Sequence, residues 1–327
     1  MEPGYEKWYS GHCRIYIWRQ TGSIDMSWLV IALVSAALMG FVSIIDKTAH
    51  GYGRSPLTLP LLMAITQTTI GVVVLVTVGI PEDATFEEAG IAVLSGFLFG
   101  VGVVTQHWIL FSQEVSRTIP ITQSAPIFAA LIAVPVLNEA ISGLQWFGII
   151  ATVIGCAVLS LRVKHDSSTG SIFLHRSFYL LMVSAVVFGA SNVLGKIALN
   201  QLPLFFTHGL RTITLGMVLL VCSFRSLPRA DVAKFFSQRS LVLFLVAAND
   251  FVVANGAMIL LLVALELGPV SLVTALSGTR ALFVVIYSTG LAFKWHGALG
   301  ERTTSGVLTV KILSAMVIVI GVAAIAI

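Results

Sequence analysis

Charge is what this sequence has least of: Asp, Glu, Lys and Arg together make up 10% of it. A water-soluble domain carries about a quarter, so an ordinary soluble fold is a poor fit and a bilayer is the natural solvent. Cysteine is scarce too. Cys13, Cys156 and Cys222 show no CxxC spacing and two of them lie inside apolar runs, which argues against a disulfide framework and a zinc site. There is no GxxxxGK[ST] loop, no HExxH, no GxSxG and no paired metal-ligand spacing. An enzyme reading therefore has no constellation to rest on, and no metal or cofactor is expected. The formal charge of +4 is scattered between apolar runs instead of clustering with aromatics, so nucleic acid is not an expected partner.

What the chain does contain is 57% hydrophobic residues and a stretch that occurs twice. Ser35-Ala-Ala-Leu-Met-Gly40-Phe-Val-Ser43-Ile-Ile-Asp46-Lys47-Thr-Ala49 is echoed by Ser184-Ala-Val-Val-Phe-Gly189-Ala-Ser-Asn192-Val-Leu-Gly195-Lys196-Ile-Ala198. Leu137-Asn-Glu139 is answered by Leu299-Gly-Glu301, each followed shortly by Ser-Gly. A repeat fixes architecture before any element is assigned. Ten apolar spans follow, at 27–45, 57–80, 89–111, 119–137, 143–161, 177–195, 203–224, 240–265, 269–292 and 306–327. Each is near the ~20 residues that cross a bilayer, and each must be helical to satisfy its own backbone. The expected fold is an all-α integral membrane protein, with ten transmembrane helices as two inverted five-helix repeats. Residues 27–161 form the first repeat, 162–176 a cytoplasmic linker and 177–327 the second repeat. Residues 1–26 are a polar, aromatic extension without a signal-peptide h-region. Met26 is the expected start of translation, and an interfacial arm is the alternative.

Orientation comes from Lys and Arg. Connections 81–88, 138–142, 196–202 and 266–268 hold only Lys196, whereas the alternate ones hold Lys47, Arg54, Arg117, Arg162, Lys164, Arg176, Arg225, Arg229, Lys234, Arg239, Lys294 and Arg302. The positive-inside rule puts the latter in the cytoplasm and both termini outside. Five spans per half invert the second half relative to the first, the usual plan of a secondary transporter with a site near the midplane.

These features resemble the EamA family of the drug/metabolite transporter superfamily. The resemblance rests on the two five-span halves, the Gly…Lys endings of spans one and six, and the Leu-Asn-Glu139 and Leu-Gly-Glu301 turns. Thr118-Ile-Pro120…Ala125-Pro126-Ile-Phe128 and Gly268-Pro269-Val-Ser271 support it. The second half departs at Ser277-Gly-Thr-Arg280, where the first has Pro126, and at Lys294-Trp-His296-Gly297. The resemblance implies solute export or uptake without ATP-binding machinery.

Ionisable and amide groups at membrane depth are functional candidates by default. Gln106 and His107 lie within span three, and Asn249, Asp250 and Asn255 within span eight; the repeat sets Gln106 at the depth of Asn255. Each amide is read either as a substrate contact or as a bond to a neighbouring helix. Asp250, a lone carboxylate among apolar neighbours, suits a proton-coupling group, or else an ion pair with Arg280 or Arg211. Arg280 stands midway along span nine, where its planar fork suits a carboxylate or phosphate, with a fixed salt bridge as the competing reading. Arg211, with His208 one turn earlier, is a second anchor unless it snorkels. Lys47 and Lys196 are expected to end their spans as interface anchors, and Glu139 and Glu301 to complement helix N-termini. Gln123 and Ser124 beside Pro126, and Ser277 and Gly278 beside Arg280, mark places where helices bend and free carbonyls.

The expected function is secondary transport of a small polar metabolite, an amino acid or related carboxylate, across the cytoplasmic membrane by alternating access. Gln106, His107, Arg211, Asn255 and Arg280 are the substrate-binding candidates, and Asp250 the proton-coupling one. The expected partners are the small-molecule substrate and membrane lipid, with homodimerisation left open. The alternative is a flippase or assembly protein for a lipid-linked headgroup. A small-cation exporter fits less well, because Arg211 and Arg280 are set against Asp250 and Glu266.

Overall fold

Runs this apolar satisfy their backbone internally, and the computed structural model is helical wherever it forms regular structure among the described residues, 27–50, 52–112, 122, 124–160, 176–238, 241–294 and 305–327. The helices are α1 (Ser27–His50), α2 (Thr58–Val78), α3 (Phe86–Ser112), α4 (Ala125–Leu137), α5 (Gly143–Ser160), α6 (Arg176–Gln201), α7 (Leu204–Ser223) and α8 (Ser226–Ser237). Then come α9 (Leu241–Ala248), a π-helical segment (Asn249–Ala254), α10 (Asn255–Leu267), α11 (Val270–Ser277), α12 (Arg280–Lys294) and α13 (Ser305–Ala326). By length and composition, seven stretches among the described residues can cross a membrane: Ser27–Asp46, Thr58–Val78, Phe86–Ile109, Phe178–Gln201, Leu204–Ser223, Leu243–Leu267 and Val270–Tyr287. Ala125–Leu137, Gly143–Val158 and Ile312–Ala326 are shorter apolar helices. The chain is thus a multi-pass, all-helical membrane protein. Residues 1–26, most of the 162–176 linker, Gln123 and Glu301 lie outside the described residues.

Local chemistry sets several boundaries. Thr85 and Glu88 cap α3 reciprocally: the Glu88 N–H donates to Thr85 Oγ1 (3.3 Å) and the Thr85 N–H to Glu88 Oε2 (3.1 Å). Ser142 and Gln145 repeat the device at α5, at 3.2 and 3.0 Å. Both are capping boxes. Helix α4 stops at Asn138, whose φ of 53° is left-handed, a conformation Asn tolerates at a C-cap.

Two elements depart from the expected pattern. The connection 225–239, read as a loop, contains α8, because Pro228, Asp231, Val232 and Phe235 recur at helical spacing and dock on α2. Helix α6 also runs past Lys196 to Gln201, so that lysine does not end its span. At Ser277–Arg280 the chain tightens instead of unwinding: the Thr279 N–H bonds the Leu276 carbonyl and the Leu282 N–H the Thr279 carbonyl, three residues back in each case, as in a 3₁₀ turn. Carbonyls near that turn are taken up by the hydroxyls of Ser277 (2.7 Å to Thr274 O) and Thr279 (2.6 Å to Leu276 O) and by the Cys156 thiol (3.2 Å to Gly278 O).

Helix α2 packs on α7, α5 on α13, and α3 on α6 and α7. Helix α4 packs on α6 and α11, and α1 on α10, α11 and α12. The two echoed glycines make these approaches close. A Cβ on Gly40 would lie 2.8 Å from Phe283 Cβ of α12, and one on Gly189 would lie 2.8 Å from the Ala129 nitrogen of α4.

Candidate functional site

Polar groups that the helices bury collect in two clusters. The first lies where α3, α6, α7 and α10 meet. Ser95 and Ser191 tie α3 to α6 by exchanging bonds: each hydroxyl donates to the other's carbonyl, at 2.7 and 2.8 Å. Arg211 of α7 reaches this pair, and its Nη2 donates to Ser191 Oγ at 3.4 Å. Its guanidinium stands 5.9 Å from the Phe99 ring centroid, a cation–π distance. Room for it comes from Gly195, where a Cβ would lie 2.7 Å from Arg211 Nη1. Arg211 is only 9% exposed. It therefore points into the bundle and does not snorkel to an interface. Among the described residues no carboxylate lies within ion-pair distance of it. His208, one turn earlier, is buried, with Thr212 Oγ1 3.4 Å from its Nδ1 and the Asn255 side chain as a further partner. Arg211, His208, Phe99 and Met258 line a small cavity with room for little more than water.

The second cluster lies between α1, α2, the π segment and α12. Asp250 is fully buried; Thr66 donates to its Oδ2 at 3.0 Å, while Oδ1 has no hydrogen-bond partner. Asn255 donates from Nδ2 to the Asp250 carbonyl at 2.6 Å and to Gln67 Oε1 at 3.4 Å. Asn249 donates to Asp46 Oδ1 at 3.4 Å, and its own Oδ1 has no partner. The π-helical turn has five-residue spacing, a geometry frequent at functional sites. Arg280 opens α12, donates from Nε to Ser43 Oγ at 2.7 Å and has Asp46 as its electrostatic partner, beyond direct ion-pair range.

The structure thus joins Asp250 to Asn255, sets His208 beside Arg211, and sets Arg280 near Asp46. It does not bring Asp250 into an ion pair with either arginine. Gln106 and His107 lie seven and eight residues beyond Phe99 on α3, about 10 Å further along its axis, with Gln106 half-buried and His107 buried. The amide that meets Asn255 is Gln67, not Gln106. Sequence reasoning passed over Asp46, Thr66 and Gln67. Asp46 precedes Lys47 and reads as a span end; Thr66-Gln67-Thr68-Thr69 was the available signal, a polar quartet inside span two.

Charged loop residues hold the two ends. Glu139 caps α11 from across the repeat: it accepts from the Val270 N–H (2.6 Å), the Ser271 N–H (3.2 Å) and the Ser271 hydroxyl (2.6 Å). A carboxylate was expected at a helix N-terminus, and the helix it serves belongs to the other half. Lys196 Nζ donates to the Leu265 (2.5 Å), Glu266 (2.9 Å) and Gly268 (3.4 Å) carbonyls at the end of α10. Both charges complement the helix dipoles. At the opposite end Asp231 of α8 binds Arg54, from its backbone N–H (2.9 Å) and guanidinium (2.5 Å), and the Thr58 hydroxyl (3.0 Å). Burial alone would raise the Asp231 carboxyl; these donors outweigh it and hold it below the ordinary value.

Buried charged and amide groups enclosed by helices long and apolar enough to cross a bilayer define a class, the multi-pass helical membrane proteins. The particular family comes from comparison: residues 26–161 match the model of the EamA-like transporter family, part of the drug/metabolite transporter superfamily. The recognition drawn from the repeat is borne out over that segment. Solved structures share the fold. One, titled only "Crystal structure of protein", superimposes with a TM-score of 0.62 at 14% identity and covers 91% of this chain and 96% of that one. No curated protein matches.

Proposed function

We propose that the chain is a secondary transporter for a small polar metabolite bearing a carboxylate, such as an amino acid, working in the cytoplasmic membrane by alternating access between two inverted five-span repeats. The packing supports the repeat. Number the spans one to ten, with α9–α10 as span eight and α11–α12 as span nine. Exchanging the halves turns the three–six contact into eight–one and four–six into nine–one, and it leaves two–seven, five–ten and four–nine unchanged; all of these contacts occur. Loop contacts sort by parity as well. Arg54 meets Asp231 at one end, and Glu139 and Lys196 meet the α10–α11 turn at the other, as ten alternating passes require.

The observation that carries the substrate reading is Arg211, a buried guanidinium with hydroxyls and a ring around it but, among the described residues, no carboxylate in ion-pair range. A buried charge without a counter-ion is costly, and an anionic group on the substrate supplies one. Of the two arginines expected to anchor it, Arg211 is the better anchor, because Arg280 already faces Asp46. Asn255, Gln67 and His208 hydrogen-bond the polar body; Gln106 and His107 line its route. Asp250 takes part in proton coupling: with Asp46 offset by Arg280, it is the carboxylate left to be neutralised by a proton. The enclosure of Arg211, Asp250 and Asn255 favours a central cavity over the lipid-facing groove that a headgroup flippase needs.

A thermal-shift screen of the purified protein against pooled metabolites identifies the ligand, and uptake into proteoliposomes follows it. Arg211→Gln is expected to abolish both binding and uptake, and Asp250→Asn to leave binding intact and remove dependence on a proton gradient. Unchanged uptake in both variants would end this assignment.

A further inference from the structure

Helix α8 uses one face to dock on α2 and leaves a second flank bare. On the docked face Val232 packs with Leu59, Leu61 and Leu62, and Asp231, the single acidic residue of the helix, is turned inward onto Arg54. On the other flank Phe236 is 52% exposed, and Phe224, just before the helix, is 59% exposed. The Arg229 guanidinium lies 4.8 Å over the Phe224 ring, and Arg225 is exposed beside it. Arg229 and Phe236 are seven residues apart, two turns, and so share a face. The outward surface carries bare rings and positive charge with no exposed acid. It follows directly on α7 and precedes α9, which fixes it at the level of the bilayer surface, at the Lys/Arg-rich ends of the spans.

We propose that Phe224, Arg225, Arg229 and Phe236 form a docking surface for anionic phospholipid, with the rings among the upper acyl carbons and the two guanidiniums on the headgroup phosphate. Arginine forks match phosphate oxygens, aromatic rings favour the interface, and basic amphipathic helices bind acidic leaflets through both terms. Since Asp231 ties α8 to Arg54 and Thr58 at the start of α2, lipid held here steadies the α1–α2 corner.

The test is thermal unfolding of the full chain in detergent, titrated with phosphatidylglycerol, phosphatidylcholine or glycerol 3-phosphate. Phosphatidylglycerol is expected to raise the midpoint by about 2–4 °C, the shift that ~1 kcal/mol gives a chain of a few hundred residues, and the other two by much less. Arg225→Gln with Arg229→Gln should remove most of the rise, and Phe224→Ala with Phe236→Ala should weaken the titration. Arg162→Gln with Lys164→Gln, which removes equal charge from another connection, should leave it intact. An unaltered response in the Arg225/Arg229 variant, equal loss in the Arg162/Lys164 variant, or an equal rise with glycerol 3-phosphate would each overturn the proposal.

Discussion

Arg211, buried, and Arg280, half-buried, are two guanidiniums held inside the bundle among the described residues, one answered from within the protein and one not. Arg280 holds Ser43 and faces Asp46. Arg211 holds Ser191 and stacks over Phe99, with Gly195 making room. In the echoed segment Asp46 and Gly195 occupy the same offset. One half thus spends that position on a counter-charge, and the other leaves it empty so that a charge can stay unmatched. On the proposed reading the unmatched guanidinium is the one that takes an anionic substrate group, because a site neutralised by its own residues has no call for an anion.

The comparison is broken most forcefully at Arg280. Arg280→Gln takes away the charge that faces the buried Asp46 from beyond ion-pair range and should cost about 1–3 kcal/mol of stability, read as a fall in denaturation midpoint; adding Asp46→Asn should restore much of it. Arg211→Gln should show the opposite profile: stability unchanged or raised, with ligand affinity lower by about 2–5 kcal/mol in calorimetry on the ligand that the screen identifies. If Arg280→Gln needs no rescue, the two arginines are not different in kind. Gly195→Ala sharpens the contrast. Its methyl group would displace the guanidinium and should weaken binding by about tenfold, about 1.4 kcal/mol, while the fold survives. The smallest effect is at Asp231. Its carboxyl is held below the ordinary value, so the Arg54 pair contributes fully above the ordinary carboxylate range and fades as pH falls through the lowered folded value. Wild type should therefore lose a small increment of stability below about pH 4 that Asp231→Asn lacks, visible in acid titration of the unfolding midpoint.

The all-helical, membrane-crossing character of the fold was legible because the apolar runs are long and nearly free of charge. The apolar runs end within a few residues of the helices, and Gly40 and Gly189 proved to be matching contact points. Helix α8 was not legible as a helix, because its Arg, Lys and Ser residues dilute the apolar spacing of Pro228, Val232 and Phe235. The π turn leaves no mark in a one-dimensional pattern, so the way it sets Asp250 and Asn255 in one network could not be read. Asp250, Asn255, Arg211 and Arg280 stood out because charge and amide groups are rare at that depth. Asp46 did not, since a carboxylate next to a lysine at a span end looks like a surface pair. Neither did Gln67, since threonines around it resemble ordinary helix filling.

Glu139 and Lys196 have a bearing on motion. Glu139 comes from one half and the helix start it grips from the other, through half-buried, charge-assisted bonds. At the far end Asp231 ties the halves through the Thr58 hydroxyl and through Arg54, whose side chain is 63% exposed and already shares its charge with water. Under the proposed alternating access the molecule is a hinged box with a bolt on one lid and a softer catch on the other, and it is expected to open on the catch side first.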